Sequence, residues 1–303
     1  MTLPNFLIIG ASRSGTTSLY QYLKQHPDVY MSPNKEPNYY FLEGVADSFR
    51  GKGTRGWLTT CVTTREEYLA LFDGVTTEKA IGEASVGYLS REAAPAAIHR
   101  DIPDAKLFAV LRNPVERAYA SFMGTRLSGR ESATTFREAL DLEARRLAEN
   151  WSFGGYRKDG LYYQQLKRYY SHFDREQLHI FLFEDFQSNP TSIVQAILAT
   201  LEVDTNIVLD TLTRHNQTGT IRNPLAHFIW TRSLPIRAEL RNYLPPALRD
   251  WAFPFFTRSG VVKHTMQDNI RIELQEFFRP DIEKLQDLIE KDLSHWLMPI
   301  NVE

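Results

Sequence analysis

Three short stretches of this chain carry side chains suited to anionic groups and to protons. The first is Gly10-Ala11-Ser12-Arg13-Ser14-Gly15-Thr16-Thr17-Ser18. Its hydroxyls and glycines surround a single cation, Arg13, with the apolar run Phe6-Leu7-Ile8-Ile9 before them and Leu19, Tyr22 and Leu23 at helical spacing after them. A short apolar run ended by glycine predicts a buried strand, and the later spacing predicts a helix. Strand, tight loop and helix in that order present N–H groups and hydroxyls at the positive end of a helix dipole, where a phosphate binds. The second stretch, Ser32 to Phe41, holds Lys35-Glu36 between two prolines and before three aromatics. A carboxylate held beside an aromatic-lined pocket suits a general base; a solvated turn is the plainer alternative. The third, Lys106 to Phe122, is an apolar strand ended by Arg112, an Asn113-Pro114 turn, and a helix from Glu116 onward. An arginine at the end of a central strand lies where open α/β sheets bind ligands, and its fork of donors fits a phosphate. A surface ion pair would use the same residue without function.

Several phosphate-loop patterns compete for the first stretch. Walker A, G-x-x-x-x-G-K-[ST], matches at Gly10, Gly15 and Thr17 but has Thr16 at its lysine position. A short-chain dehydrogenase loop would need glycines where Ser14 and Thr16 stand, although a Tyr-x-x-x-Lys pair occurs at Tyr163 and Lys167. A glycine turn that binds nothing would not need so many hydroxyls. The strand-like run Leu178 to Phe183, ended by Glu184-Asp185, has the look of a Walker B segment that holds Mg²⁺, and so supports a kinase reading.

Another phosphate-loop pattern fits best: GASRSGTTSLYQYL resembles the 5′-phosphosulfate loop of sulfotransferases, which usually reads G-x-x-[KR]-[ST]-G-[ST]-[ST]. SPNKEPNYYF is similar to the K-E-x-H-[FY]-F segment of the glycan and bacterial sulfotransferases, with Asn38 at the usual histidine. RNPVERAYASF resembles the 3′-phosphate motif R-[ND]-P-x-[ED]-R-x-x-S-x-[FY], with Ala120 at the serine position and Ser121 one step later. One helical step turns a side chain by about 100°, so Ser121 substitutes only through a local shift. Ala80 to Ser85 is similar to a G-E-x-S strand end, Gly160-Leu161-Tyr162 to the G-x-Y helix beside the nucleotide, and Phe183-Glu184-Asp185 to a structural Y-E-D-[LF] strand end. Asn216 to Asn223 resembles the late loop over adenine and the 3′-phosphate, and residues 273–297 the closing helical segment of the bacterial members.

The resemblance implies a P-loop-like central parallel sheet flanked by helices, with a helical C-terminal cap, in one domain over residues 1–303. It implies PAPS (3′-phosphoadenosine 5′-phosphosulfate) as donor and PAP as product, with no metal required. Glu36 would deprotonate a hydroxyl or amine of a small-molecule, glycan or lipid acceptor, and Arg13 would stabilise the leaving phosphate. Arg13, Ser14, Gly15, Thr16, Thr17, Ser18, Arg112, Ser121, Tyr162, Gly219 and Arg222 would hold the nucleotide. Glu83, His215 and His264 are the alternative bases. A P-loop kinase and a non-catalytic adenosine-bisphosphate-binding module are the competing functions; the missing lysine argues against the first and an intact Glu36 against the second.

The rest of the chain must position these groups. With 303 residues, 43% hydrophobic and 24% charged, it has the makeup of one large α/β domain, and apolar strands alternate with helices along it. A net charge of −2 does not suggest a nucleic-acid partner. A single cysteine, Cys61, excludes an intrachain disulfide and a thiolate metal cluster. No apolar run approaches membrane-spanning length and no signal peptide is visible, so a cytoplasmic location is the expectation. Residues 44–64 are expected to be a long surface loop, residues 65–72 and 91–100 short helices, and Arg126, Arg130, Arg137, Arg145 and Arg146 mostly solvated helix faces. Pro224 to Ser259, rich in Trp, Phe, Arg and Pro, reads as a packed helical cap rather than a membrane-surface segment, because its prolines interrupt any long amphipathic stripe.

Overall fold

The strand that leads into the hydroxyl-rich loop is apolar on both faces and occupies the centre of the sheet. β1 (Phe6–Gly10) is buried at every position. It pairs in parallel with β3 (Ala80–Ala84) on one side and β4 (Lys106–Leu111) on the other; β2 (Val29–Met31) and β5 (Leu178–Leu182) are the edges, giving the order β2-β3-β1-β4-β5. Leu7 pairs with Glu83 and with Leu107, which sets the register of the three central strands. The computed structural model describes residues 2–51, 53–213, 220–221, 261–262 and 265–298.

Helices in chain order are α1 (Thr16–Leu23), α2 (Tyr39–Leu42), α3 (Thr54–Leu58), α4 (Arg65–Ala70), α5 (Ala94–Asp101), α6 (Pro114–Leu127), α7 (Phe136–Asp141), α8 (Glu143–Ala148), α9 (Tyr162–Tyr170), α10 (Phe183–Ser188), α11 (Pro190–Thr200) and α12 (Asp268–Ile289). Alternation along the strands sends Leu7, Ile9, Leu107, Ala109 and Leu111 to one face, where they join Ile98 of α5, Ala118 of α6, Leu166 of α9 and Leu274 and Phe278 of α12. Phe6, Ile8, Phe108 and Val110 face the other way, against Leu19 and Leu23 of α1 and Ile197 and Leu198 of α11. The result is a three-layer α/β/α fold with both faces of a parallel sheet covered. Each fully buried aliphatic or aromatic side chain contributes roughly 1.5–3 kcal/mol, so β1 and β4 are firm anchors for the loops that leave them.

α6 begins two residues earlier than its sequence pattern suggests, at Pro114, because Asn113 accepts hydrogen bonds from the amides of Val115 and Glu116 and Pro114 needs no donor at that place. Residues 44–64 are not all loop: α3 lies within them. The stretch holding Gly219, Arg222, His215 and His264, and the whole of Pro224 to Ser259, fall outside the described residues. Of the late loop, β6 (Thr220–Ile221) is described; it pairs antiparallel with β7 (Val261–Val262) and lies alongside α6. Among the described residues no helix is long and apolar enough to cross a membrane.

Candidate active site

The loop after β1 is built for close approach of a ligand. Arg13 takes a left-handed φ of 67° and Gly15, at the cap of α1, one of 80°. A Cβ on Gly15 would lie 2.9 Å from the Phe186 ring as well as in a strained conformation. Ser14 is fully buried, and its hydroxyl has no hydrogen-bond partner among the described residues. Leaving a buried polar group unsatisfied costs about 1–3 kcal/mol, and an anion seated in the loop would remove that cost. Thr16 and Ser18 are also buried at the start of α1, with Thr17 between them half-exposed.

Arg112, at the end of β4, reaches this loop directly. Its Nη1 donates to the Arg13 carbonyl at 3.0 Å, and its guanidinium lies over the Phe183 ring at 4.8 Å. It forms no ion pair among the described residues, and burial pushes it below its ordinary pKa, with Glu116 opposing. Tyr162 is placed behind it: the buried phenol donates to the Arg112 carbonyl at 3.0 Å and so orients the arginine. Ala120, at the motif's serine position, is buried, whereas Ser121 is half-buried.

Glu36 is held at the neighbouring strand end. Its amide donates to the Ala84 carbonyl at 2.8 Å, and both Glu36 (φ 65°) and Asn38 (φ 56°) are left-handed. A non-glycine residue held there costs of order 1–3 kcal/mol and persists only where its surroundings over-determine it. The surroundings do so. Asn38 donates through Nδ2 to the Glu36 carbonyl at 2.7 Å and toward Cys61 Sγ at 3.5 Å. Its own amide donates to Ser85 Oγ at 3.0 Å, and Ser85 in turn donates to Glu83 at 2.9 Å. The residue standing in for the usual histidine therefore locks the turn that carries the carboxylate. Lys35 Nζ pairs with Glu36 Oε1 at 2.6 Å, with 38% of the Glu36 side chain exposed, so the carboxylate is compensated yet reachable. Glu83, the alternative base, is wholly buried beneath this turn and pushed up to about 7 by desolvation, opposed by Tyr88, Ser85 and Tyr68. It supports the turn from below.

Two further residues belong to the site and were not assigned to it from sequence. A Cβ at Gly124, within α6, would overlap the Arg13 guanidinium, so that side chain lies flat against the helix backbone. Arg130, just past the end of α6, is electrostatically coupled to both Arg13 and Glu36. Burial first, and then Arg130, hold Arg13 below its ordinary pKa, with Glu36 opposing. Arg130 and Arg146 are the exceptions among the five arginines expected mostly on solvated helix faces: Arg130 is half-buried and Arg146 is buried against Glu131. The mid-helix glycine was the visible signal for the first, since glycine there costs about 1 kcal/mol relative to alanine. Nothing local marked Arg130 apart from the Ser128-Gly129 turn before it.

The Walker-B-like acid Glu184 is engaged by the C-terminal segment. Glu184 Oε1 accepts from Trp296 Nε1 at 2.6 Å and lies 2.5 Å from His295 Nε2, fastening the C-terminal segment to α10. The aromatics around it serve the loop instead: Phe183 and Phe186 pack on Gly15.

A family model described as the sulfotransferase family matches residues 4–206. Human carbohydrate sulfotransferase 15 is 29% identical over 239 residues, covering 62% of this chain and 41% of that protein. The bifunctional heparan sulfate N-deacetylase/N-sulfotransferase of Drosophila melanogaster is 25% identical over 218 residues, covering 67% of this chain and 20% of that protein. The chain thus spans less than half the length of these curated relatives. A crystal structure of a sulfotransferase from Alicyclobacillus acidocaldarius superposes with a TM-score of 0.77 at 33% identity, covering 98% of this chain and 100% of the other. Matched in sequence through all five strands of the sheet and in structure along nearly its whole length, the chain belongs to the sulfotransferase family.

Proposed function

We propose that this chain moves a sulfuryl group from PAPS to a hydroxyl or amine of a carbohydrate acceptor, with Glu36 as general base. The observation that carries the reading is the meeting of the three motifs at one edge of the sheet: Arg112 bonds to the Arg13 carbonyl, and Glu36 to the end of β3 beside β1. The residues present fit the donor. The orphaned Ser14 hydroxyl, the left-handed Gly15 and the start of α1 form an anion cradle, and Arg112 has donors to spare for a second phosphate.

PAPS supplies an electrophilic sulfur on a good leaving group, and the chain's residues do the rest. Glu36 takes the acceptor proton as the new bond to sulfur forms. The loop amides and Arg13 stabilise the charge that gathers on the departing 5′-phosphate. Ser14 and the buried Thr16 and Ser18 orient that phosphate, while Arg112, steered by Tyr162, holds the 3′-phosphate. A sulfuryl group carries less negative charge than a terminal phosphoryl group, so these cations suffice without a divalent metal.

The names of the relatives support a glycan acceptor, and so does the entrance beside Glu36. There the half-exposed Phe41 and Trp57 meet edge-on at 5.9 Å against the buried Phe49, an aromatic surface that suits a sugar ring. Glu36→Gln tests the assignment. Turnover should fall by roughly 10²–10⁴-fold, while PAP affinity, measured by calorimetry in chelator, should barely change. Near-full turnover with chemistry rate-limiting would remove Glu36 as the base, and binding of ATP–Mg²⁺ in place of PAP would remove the donor assignment.

A further inference from the structure

We propose that Arg130 binds an anionic group of the acceptor, a carboxylate or a sulfate ester, close to the hydroxyl or amine that Glu36 deprotonates. This rests on the sulfotransferase reading above and names the acceptor's chemistry.

Arg130 has a fixed stem and a free head. A Cβ on Gly53 would lie 2.7 Å from its Cγ, its guanidinium lies over the Phe153 ring at 5.8 Å, and its Nε donates to Ser128 Oγ at 3.2 Å. These contacts hold the side chain between the α3 segment and the turn after α6. Its Nη1 and Nη2 form no hydrogen bond, and no carboxylate pairs with it among the described residues. The residue is nonetheless half-buried, and burial lowers its pKa with Glu36 opposing. A partly desolvated guanidinium without an anion is costly, and a fork of two free N–H pairs fits a carboxylate or sulfate.

Its place selects the acceptor rather than the donor. The donor's two anionic ends are already served, the 5′ side by the loop and Arg13 and the 3′ side by Arg112. Arg130 packs on Gly53 at the start of α3, whose Trp57 carbonyl accepts from Cys61 Sγ, and Cys61 lies against Asn38 on the turn that carries Glu36. The electrostatic coupling of Arg130 runs to Glu36 and Cys61 as well as to Arg13. An anion on Arg130 would therefore sit beside the acceptor atom on Glu36, on the side of the aromatic surface of Phe41 and Trp57.

Binding decides the matter, using the full chain at physiological salt. One arm uses an unsulfated tetrasaccharide containing glucuronic acid and its carboxyl-reduced form; the other uses a neutral-sugar oligosaccharide bearing a sulfate ester and its desulfated form. Each is titrated with and without PAP into wild type and into Arg130→Met, which keeps an unbranched stem. Wild type should prefer the acidic member of at least one pair by roughly 10–100-fold, the range of charge-assisted hydrogen bonds, and Arg130→Met should abolish that preference. The arm that shows it identifies the anion. Equal affinity for acidic and neutral members in both arms, or a preference that survives Arg130→Met, overturns the proposal. So does an equal fall in turnover on acidic and neutral acceptors, which would place Arg130 on the transferred sulfuryl group. Failure to bind PAP tells against the donor assignment instead, and the oligosaccharide titrations without PAP still decide the role of Arg130.

Discussion

Arg130 and Glu131 are adjacent and opposite in charge, yet they do not pair. Glu131 turns inward, where Arg146 grips it with two nitrogens at 2.8 and 2.6 Å, Tyr156 donates to it, and the Ala133 amide closes the set. The side chains of Arg146 and Glu131 are 2% and 0% exposed. Arg130 turns the other way and faces Glu36 and Arg13 without a carboxylate of its own. The buried pair takes the adjacent acid away from the site arginine. It also clamps the segment that follows α6, so the free guanidinium is held in place by the paired one. One guanidinium serves the fold and the other serves a ligand.

Removing the paired arginine gives the largest expected effect. Arg146→Met leaves Glu131 buried without its cation and should destabilise by about 3–5 kcal/mol. Arg130→Met strands no acid and should change stability by less than about 1 kcal/mol. Urea unfolding of the two variants checks this, and similar losses would erase the distinction.

A second buried carboxylate sharpens the contrast. Burial raises Glu131, but Arg146 and Tyr156 outweigh it, and its carboxyl lies below the ordinary value. Glu83 has only Tyr88, Ser85, Tyr68 and the more distant Lys35 to oppose desolvation, and it rises from 4.5 to about 7. A raised acid favours the folded state in its neutral form. Its contribution is whole below about 4.5 and is lost as pH climbs to about 7. Across that window wild type should lose on the order of 3 kcal/mol that Glu83→Gln does not lose. Denaturant melts at several pH values would show it, and parallel pH profiles for the two proteins would refute it. Glu131, being depressed, works with the opposite sign, and its contribution fades on acidification.

The smallest expected effect concerns Gly124 and reverses the usual link between stability and activity. Alanine there should add up to about 1 kcal/mol of helix stability. The atom in its way is the flexible end of Arg13, so the arginine gives way and the helix stays. Gly124→Ala should therefore melt no lower than wild type and turn over more slowly. In an Arg13→Ala background the same change should have no further effect on turnover. A fully active Gly124→Ala protein would show that Arg13 works from another position.

Much of this was legible in the sequence. The apolar runs at Phe6–Ile9 and Leu107–Leu111 are β1 and β4, and the alternation of strands and helices is the three-layer fold. The loop residues Arg13 to Ser18, Arg112 and Glu36 meet at one sheet edge. Tyr162, expected beside the nucleotide, lies against the Arg112 segment, where its hydroxyl serves the Arg112 backbone. An apolar run followed by an acid is the whole of the signal that made Glu184-Asp185 look like a Walker B strand end, and the partner that gives Glu184 a structural contact, Trp296, lies at the far end of the chain.

Sequence by itself determined the elements and the loop, since periodicity, glycine punctuation and hydroxyl content are local properties of a few consecutive residues. Tertiary structure alone decided that Arg146 is paired with Glu131 and Arg130 is not, whereas Arg145 pairs locally with Glu149. Arg126, Arg130, Arg137, Arg145 and Arg146 look alike along the chain. Whether a guanidinium finds a carboxylate depends on partners brought together by packing and on how much water burial removes, and neither is written at the residue itself. For that reason the site's second arginine and the glycine that seats the first became visible only once α6, the loop after β1 and the segment around Glu131 were folded against one another.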